Sequence, residues 1–102
     1  MGLDISLVKK EYVVEQNITH NLNHMWKKAG IYDALYNSEG CEAQEILPIL
    51  IDGLADMVAN KEEYEKLNSP NGWGLYENAV PWLIELIQGC KDYPDSVIEV
   101  SR

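Results

Sequence analysis

Near the start of the chain Leu3, Ile5 and Leu7 alternate with Asp4 and Ser6, the period of two that marks a half-buried strand. Lys9 and Lys10 end the alternation. Tyr12-Val13-Val14 is β-prone and reads as a second short strand or as an extended lead into the next element. From Asn17 the period changes. Ile18, Leu22, Met25, Trp26 and Ala29 fall within about 100° of arc on a helix of about 3.6 residues per turn. Asn17 or Thr19 is its expected N-cap, and Gly30 its stop.

Farther along, Ala43, Ile46, Leu47, Leu50, Ile51, Leu54 and Val58 make a wide apolar face on a helix ending at Asn60, with Glu45, Asp52 and Asp56 opposite. Pro48 is tolerable only near a first turn, so this helix is expected to start late or bend there. Lys61 to Leu67 predicts a short helical turn, and Asn68-Ser69-Pro70-Asn71-Gly72 a loop. The last helix is expected from Trp73 to Cys90, with Leu75, Tyr76, Ala79, Val80, Leu83, Leu86 and Ile87 inward. Its outward side takes Glu77, Glu85 and Gln88, and Pro81, which predicts a kink. After a turn at Tyr93-Pro94-Asp95-Ser96, Val97 to Ser101 reads as a closing strand.

These elements predict an α+β fold that is mostly helical, a single domain over residues 1–102. Three main helices pack with a small antiparallel sheet that pairs the N- and C-terminal strands, because a lone strand leaves its ladder unsatisfied. Two strands alone are marginal, so the sheet is expected to lie on the helices or to join another subunit through its edge, a route to a homo-oligomer.

Composition narrows the function. The formal charge of −9, from 17 acids against 8 bases, argues against direct nucleic-acid binding and against adhesion to an anionic membrane. No apolar run approaches the ~20 residues of a membrane span, and Asp4 stands where a secretion signal needs a basic region. Cys41 and Cys90 are too few for a disulfide framework and read as thiols in a reducing cytoplasm, the expected location. No cofactor is expected.

A histidine pair and two polar motifs, the cluster from Asn17 to Asn23 and the loop at Asn71 to Tyr76, stand out. His20 and His24 have the i, i+4 spacing of two imidazoles on one metal, but a third ligand and an internal Glu are lacking. On the helical wheel they fall, with Lys27, away from the apolar stripe; both are read as solvent-exposed, and they are the only metal candidates. Asn17, Thr19, Asn21 and Asn23 crowd the same segment although Asn and Thr are poor helix formers. Capping and bonds to neighbouring loops account for such a cluster. A ledge of donors and acceptors at a helix start, facing a ligand carbonyl, amide or phosphate, also accounts for it. In Asn71-Gly72-Trp73-Gly74-Leu75-Tyr76, two glycines around a tryptophan permit close backbone approach. Trp73 then either plugs the end of the core or, with Tyr76, forms an aromatic platform for a base, a nicotinamide or a sugar face.

The motifs Asn17-x-Thr19-x-Asn21-Leu22-x-x-Met25-Trp26, Asn68-x-Pro70-Asn71-Gly72-Trp73-Gly74-x-Tyr76-Glu77 and Cys90-x-x-x-Pro94 resemble those of a family of short proteins of bacteriophages, prophages and bacteria. The resemblance covers most of the chain and departs at Pro81. It implies a phage or prophage setting, brings no reaction, and suggests that both polar motifs belong to one site. The expected function is a non-catalytic binding protein that holds a small nucleotide-like or other polar-aromatic ligand, with Asn17, Thr19, Asn21, Asn71, Trp73 and Tyr76 as ligand-binding residues. No catalytic residue is assigned. Two other readings stand beside it. One is an acidic protein, with Glu39, Glu42, Glu45, Asp52 and Asp56, that binds and inhibits a host nucleic-acid-handling protein. The other is a small hydrolase using His20 or His24 with the carboxylates Asp52 and Asp56.

Overall fold

The computed structural model describes residues 2–102. Strand β1 (Gly2–Val8) turns back at Lys9–Glu11 into β2 (Tyr12–Thr19), and β3 (Val97–Ser101) pairs on the other side of β1. All pairings are antiparallel and the order is β2-β1-β3. The fold is α+β and mostly helical, as the periodicities predict, with the first and last strands paired. The sheet has one strand more than the two ends alone provide.

That strand corrects the expectation of a helix from Asn17. Asn17, Ile18 and Thr19 are extended and belong to β2. Six consecutive β1 residues, Gly2 to Leu7, need ladder partners, and Thr19 back to Val14 supply them in unbroken register. Val14, Gln16 and Ile18 oppose Leu7, Ile5 and Leu3, so the alternation on β1 continues on β2. Asn17 is therefore not a helix cap. Thr19 is one: its Oγ1 accepts from Asn21 N at 3.3 Å and starts a 3₁₀ turn over His20–Leu22, which leads into α1 (Asn23–Lys28). Gly30, at φ 76°, ends that segment as expected.

A helix that the pattern does not reveal, α2 (Tyr32–Tyr36), comes directly after. The long helix α3 (Ala43–Ala59) passes through Pro48 without a late start. Pro48 and Pro81 are each the sixth residue of their helix, and both are exposed, so water can reach the carbonyl that each leaves unpaired. The buried stripe of α3 is Ala43, Ile46, Leu50, Gly53 and Met57. Ile51 and Val58, expected inside, are exposed. After α4 (Lys61–Glu65) and a loop, α5 (Tyr76–Asp92) begins three residues later than the periodicity suggests.

The core lies between the inner face of the sheet and α5, with α3 against α5. Leu3, Ile5, Leu7 and Ile98 are wholly buried there. Gly89 brings α5 close to the sheet, since a β-carbon on it would stand 2.9 Å from Val14 Cγ2. At the other end the Tyr76 hydroxyl donates to the Met57 carbonyl at 2.8 Å, fixing the start of α5 to the end of α3. Trp26 and Trp82 meet with ring centroids 5.6 Å apart. No described helix is long and apolar enough to cross a membrane.

Candidate functional site

The loop from Asn68 to Leu75 is built by its own polar groups. Asn71 Oδ1 accepts from Trp73 N at 3.0 Å and from Ser69 Oγ at 2.6 Å. Gly72 N donates to the Ser69 carbonyl at 3.2 Å, and Ser69 N to that of Gly74 at 3.3 Å. Asn68 Oδ1 accepts from Tyr76 N at 2.7 Å and so satisfies one of the open donors at the start of α5. Gly72 and Gly74 hold φ of 80° and 93°, values that disfavour any side chain. The hydrogen bonds tie the loop backbone on both sides of Trp73.

Trp73 is 67 % exposed. The structure therefore rules out its use as a core plug, because the ring stands open beside the end of β2. With Gly2, Asn17, Ile18, Thr19 and Asn21 it lines a recess of about 570 Å³. On the adjoining side Ile18, Thr19, Leu22, Gly72, Trp73, Gly74 and Asn78 border a more apolar hollow of about 370 Å³. The two share Ile18, Thr19 and Trp73, so the indole stands between a polar and an apolar wall.

The polar segment and the loop are in direct contact. A β-carbon on Gly74 would fall 2.7 Å from Asn21 Cβ and 3.0 Å from its carbonyl oxygen, an approach only glycine permits. Four of the six expected ligand-binding residues, Asn17, Thr19, Asn21 and Trp73, thus share one recess although about fifty positions of sequence separate them. The other two do not reach it. Asn71 spends its side chain on the loop. Tyr76 lies in the core, 8 % exposed, with its hydroxyl given to Met57. Gly2, Ile18, Leu22 and Asn78 complete the walls. Gly2 and Ile18 carry no sequence signal beyond strand and stripe, so only the strand pairing reveals them.

Within the recess, the Asn17 amide donates to Asp4 Oδ1, which leaves its carbonyl oxygen as an acceptor. Thr19 Oγ1 is occupied by Asn21 N yet can still donate. Among the described residues no lysine or arginine lines either hollow. The polar groups here lie on a strand end and a 3₁₀ turn, not at the mouth of a long helix, so there is no macrodipole to attract phosphate. The chemistry favours an uncharged ligand.

The histidines do not share one face of a regular helix, since His20 is in the 3₁₀ turn and His24 in α1. His20 is also not free in solvent: its Nδ1 shares a hydrogen bond with Tyr36 Oη at 2.9 Å, and the two rings stack. His24 is exposed, as expected. Among the described residues no group of three His, Cys, Asp or Glu side chains is placed to hold a metal ion. Three of the carboxylates named for the other readings, though not Asp52, are similarly engaged. Asp56 accepts from the Tyr64 hydroxyl and from Asn60, Glu45 from Glu42 N at 2.7 Å, and Glu39 from Val100 N at 2.6 Å. No family model, curated protein or solved structure matches the chain.

Proposed function

We propose that this chain is a non-catalytic binding protein whose recess at the end of β2 holds a small, uncharged ligand with a planar ring and polar edge, of the nucleoside or nicotinamide kind. One observation carries this reading: Trp73 is held out of the core by a self-bonded loop, directly beside Thr19 and Asn21. Leaving a tryptophan in water forgoes roughly 1.5–3 kcal/mol of burial. A ring stacked on it would recover part of that, and amide and hydroxyl groups within reach would fix orientation. In the phage or prophage setting implied by the motifs, such a protein holds and so sequesters a molecule of its host.

The experiment is thermal unfolding with adenosine, guanosine, cytidine, uridine and nicotinamide as probes. A ligand at 100 times its Kd adds about 2.7 kcal/mol and raises Tm by several degrees. Trp73→Ala and Asn21→Ala should each abolish that rise while the unliganded proteins stay folded. A rise that survives Trp73→Ala, or no rise with any of the probes, overturns the reading.

A further inference from the structure

The two edges of the sheet are not alike. On β3, Ile98 N donates to the Cys41 carbonyl at 2.8 Å, the Ile98 carbonyl accepts from Gly40 N at 2.9 Å, and Val100 N is bound by Glu39. That edge is closed by residues 39–41. These bonds also set the phase of the whole ladder. Since Ile98 and Val100 point their backbone groups outward, Val97, Glu99 and Ser101 must face β1, pairing Val8, Ser6 and Asp4. Leu3, Ile5 and Leu7 therefore turn toward β2, where they engage Ile18, Gln16 and Val14. It follows that Glu15 and Asn17 aim their N–H and C=O groups away from the sheet. Among the described residues nothing bonds to them there.

β2 is thus an open edge eight residues long, rich in β-branched side chains, with Glu15 as its one charge. Protein edges are ordinarily blunted by lysine or proline, and β2 carries neither. On the outer face Glu15 is the acid that β2 itself presents, with no hydrogen-bond partner among the described residues; Asp4, Glu99 and Glu39, held by Asn17, Tyr12 and Val100, extend the negative face across β1 to β3. On the inner face an added strand would lie next to Val14 and Ile18, both half-buried. We infer that the β2 edge binds an extended basic peptide, antiparallel to it, with lysine or arginine at alternate positions over Glu15 and aliphatic residues between them beside Val14 and Ile18. Backbone bonds give such a complex its affinity, and the alternation gives its selectivity. A second copy of this chain fits less well, because each copy brings a charge of −9 and another Glu15 to the shared edge.

Asn17 also borders the recess, so Glu15, which does not, separates this inference from the recess ligand. The probe is an acetylated, amidated heptapeptide of alternating lysine and valine, titrated by calorimetry and followed through the ¹⁵N-labelled amides. The Glu15 and Asn17 amides should show the large shifts of newly bonded groups, while Gln16 and Ile18, already bonded to β1, change little. N-methylating the peptide amides of one parity should weaken binding about tenfold or more, and methylating the other parity should leave it unchanged. Glu15→Lys should weaken it by a similar factor and make a glutamate–valine peptide the better ligand. Equal effects of the two methylation patterns, unchanged Glu15 and Asn17 amides, or equal binding of the glutamate–valine peptide to the unmodified protein would overturn the inference. So would a concentration-dependent dimer that pairs the same amides in the absence of peptide.

Discussion

Gly53, on α3, has its bare α-carbon against Ile31: a β-carbon added there would lie 2.3 Å from Ile31 Cγ2 and 3.2 Å from the Ala29 carbonyl oxygen. Ile31 is wholly buried, so its methyl cannot swing away. Gly53→Ala should gain up to about 1 kcal/mol of helix propensity and lose more to overpacking, a net destabilisation of about 1–2 kcal/mol. Ile31→Leu removes the branch that clashes. Chemical denaturation of the two single variants and the double variant should show the double recovering part of the loss.

Gly72 and Gly74 both hold a left-handed backbone, but only Gly74 has a close neighbour, Asn21. Alanine at position 72 should cost about 1–2 kcal/mol for the backbone alone. At position 74 it should cost roughly 1–3 kcal/mol more and shift the Asn21 amide resonances, since loop and turn must part. Equal Tm losses for the two variants would show that the contact does not hold the recess together.

Trp73 and Tyr76 belong to one motif but have opposite environments. Trp73→Ala, at an exposed ring, should change stability by less than about 0.5 kcal/mol. Tyr76→Phe strands the buried Met57 carbonyl and should cost about 1–3 kcal/mol, seen as a lower denaturant midpoint, with no effect on a ligand in the recess.

Alkali should weaken the fold in a definite window. Burial pushes the Cys90 thiol from 9.0 up to about 11, and burial together with the Asp56 carboxylate raises Tyr64 above its ordinary 10.0. Both groups keep their protons longer in the folded protein than in the unfolded one. For Cys90 that stabilisation is intact below pH 9 and is lost as pH climbs through about 11; for Tyr64 the loss begins only above pH 10. Denaturation midpoints measured from pH 8 to 11 should fall, and fall less steeply in Cys90→Ala.

What can be read from the residues divides along physical lines. β1, β3 and the body of α5 are legible because strict alternation or a 3.6-residue stripe allows only one buried face for each. The stretch from Asn17 to Thr19 is not, since Ile18 satisfies a period of two with Val14 and a period near 3.6 with Leu22; pairing with β1 decides between them. On α3 the apolar pattern misplaces the inward face by about a sixth of a turn, because Gly53 carries no hydrophobic signal although Ile31 requires it there. The convergence of Asn21 with Trp73 is not legible in periodicity or spacing, and neither is the orientation of each member. Trp73 and Tyr76 are three residues apart, but a glycine at positive φ and the start of α5 lie between them, and these send the rings in different directions.

The pairing of β1 with β3 also bears on how the chain is made. Asp4 is translated long before Ser101, its ladder partner, and must wait for that strand to emerge. Until then the hairpin of β1 and β2 offers two open edges instead of one, so the nascent chain stays prone to edge pairing until β3 is made. A chain that stops before Val97 would therefore lack more than one edge strand: its central strand would be left unprotected.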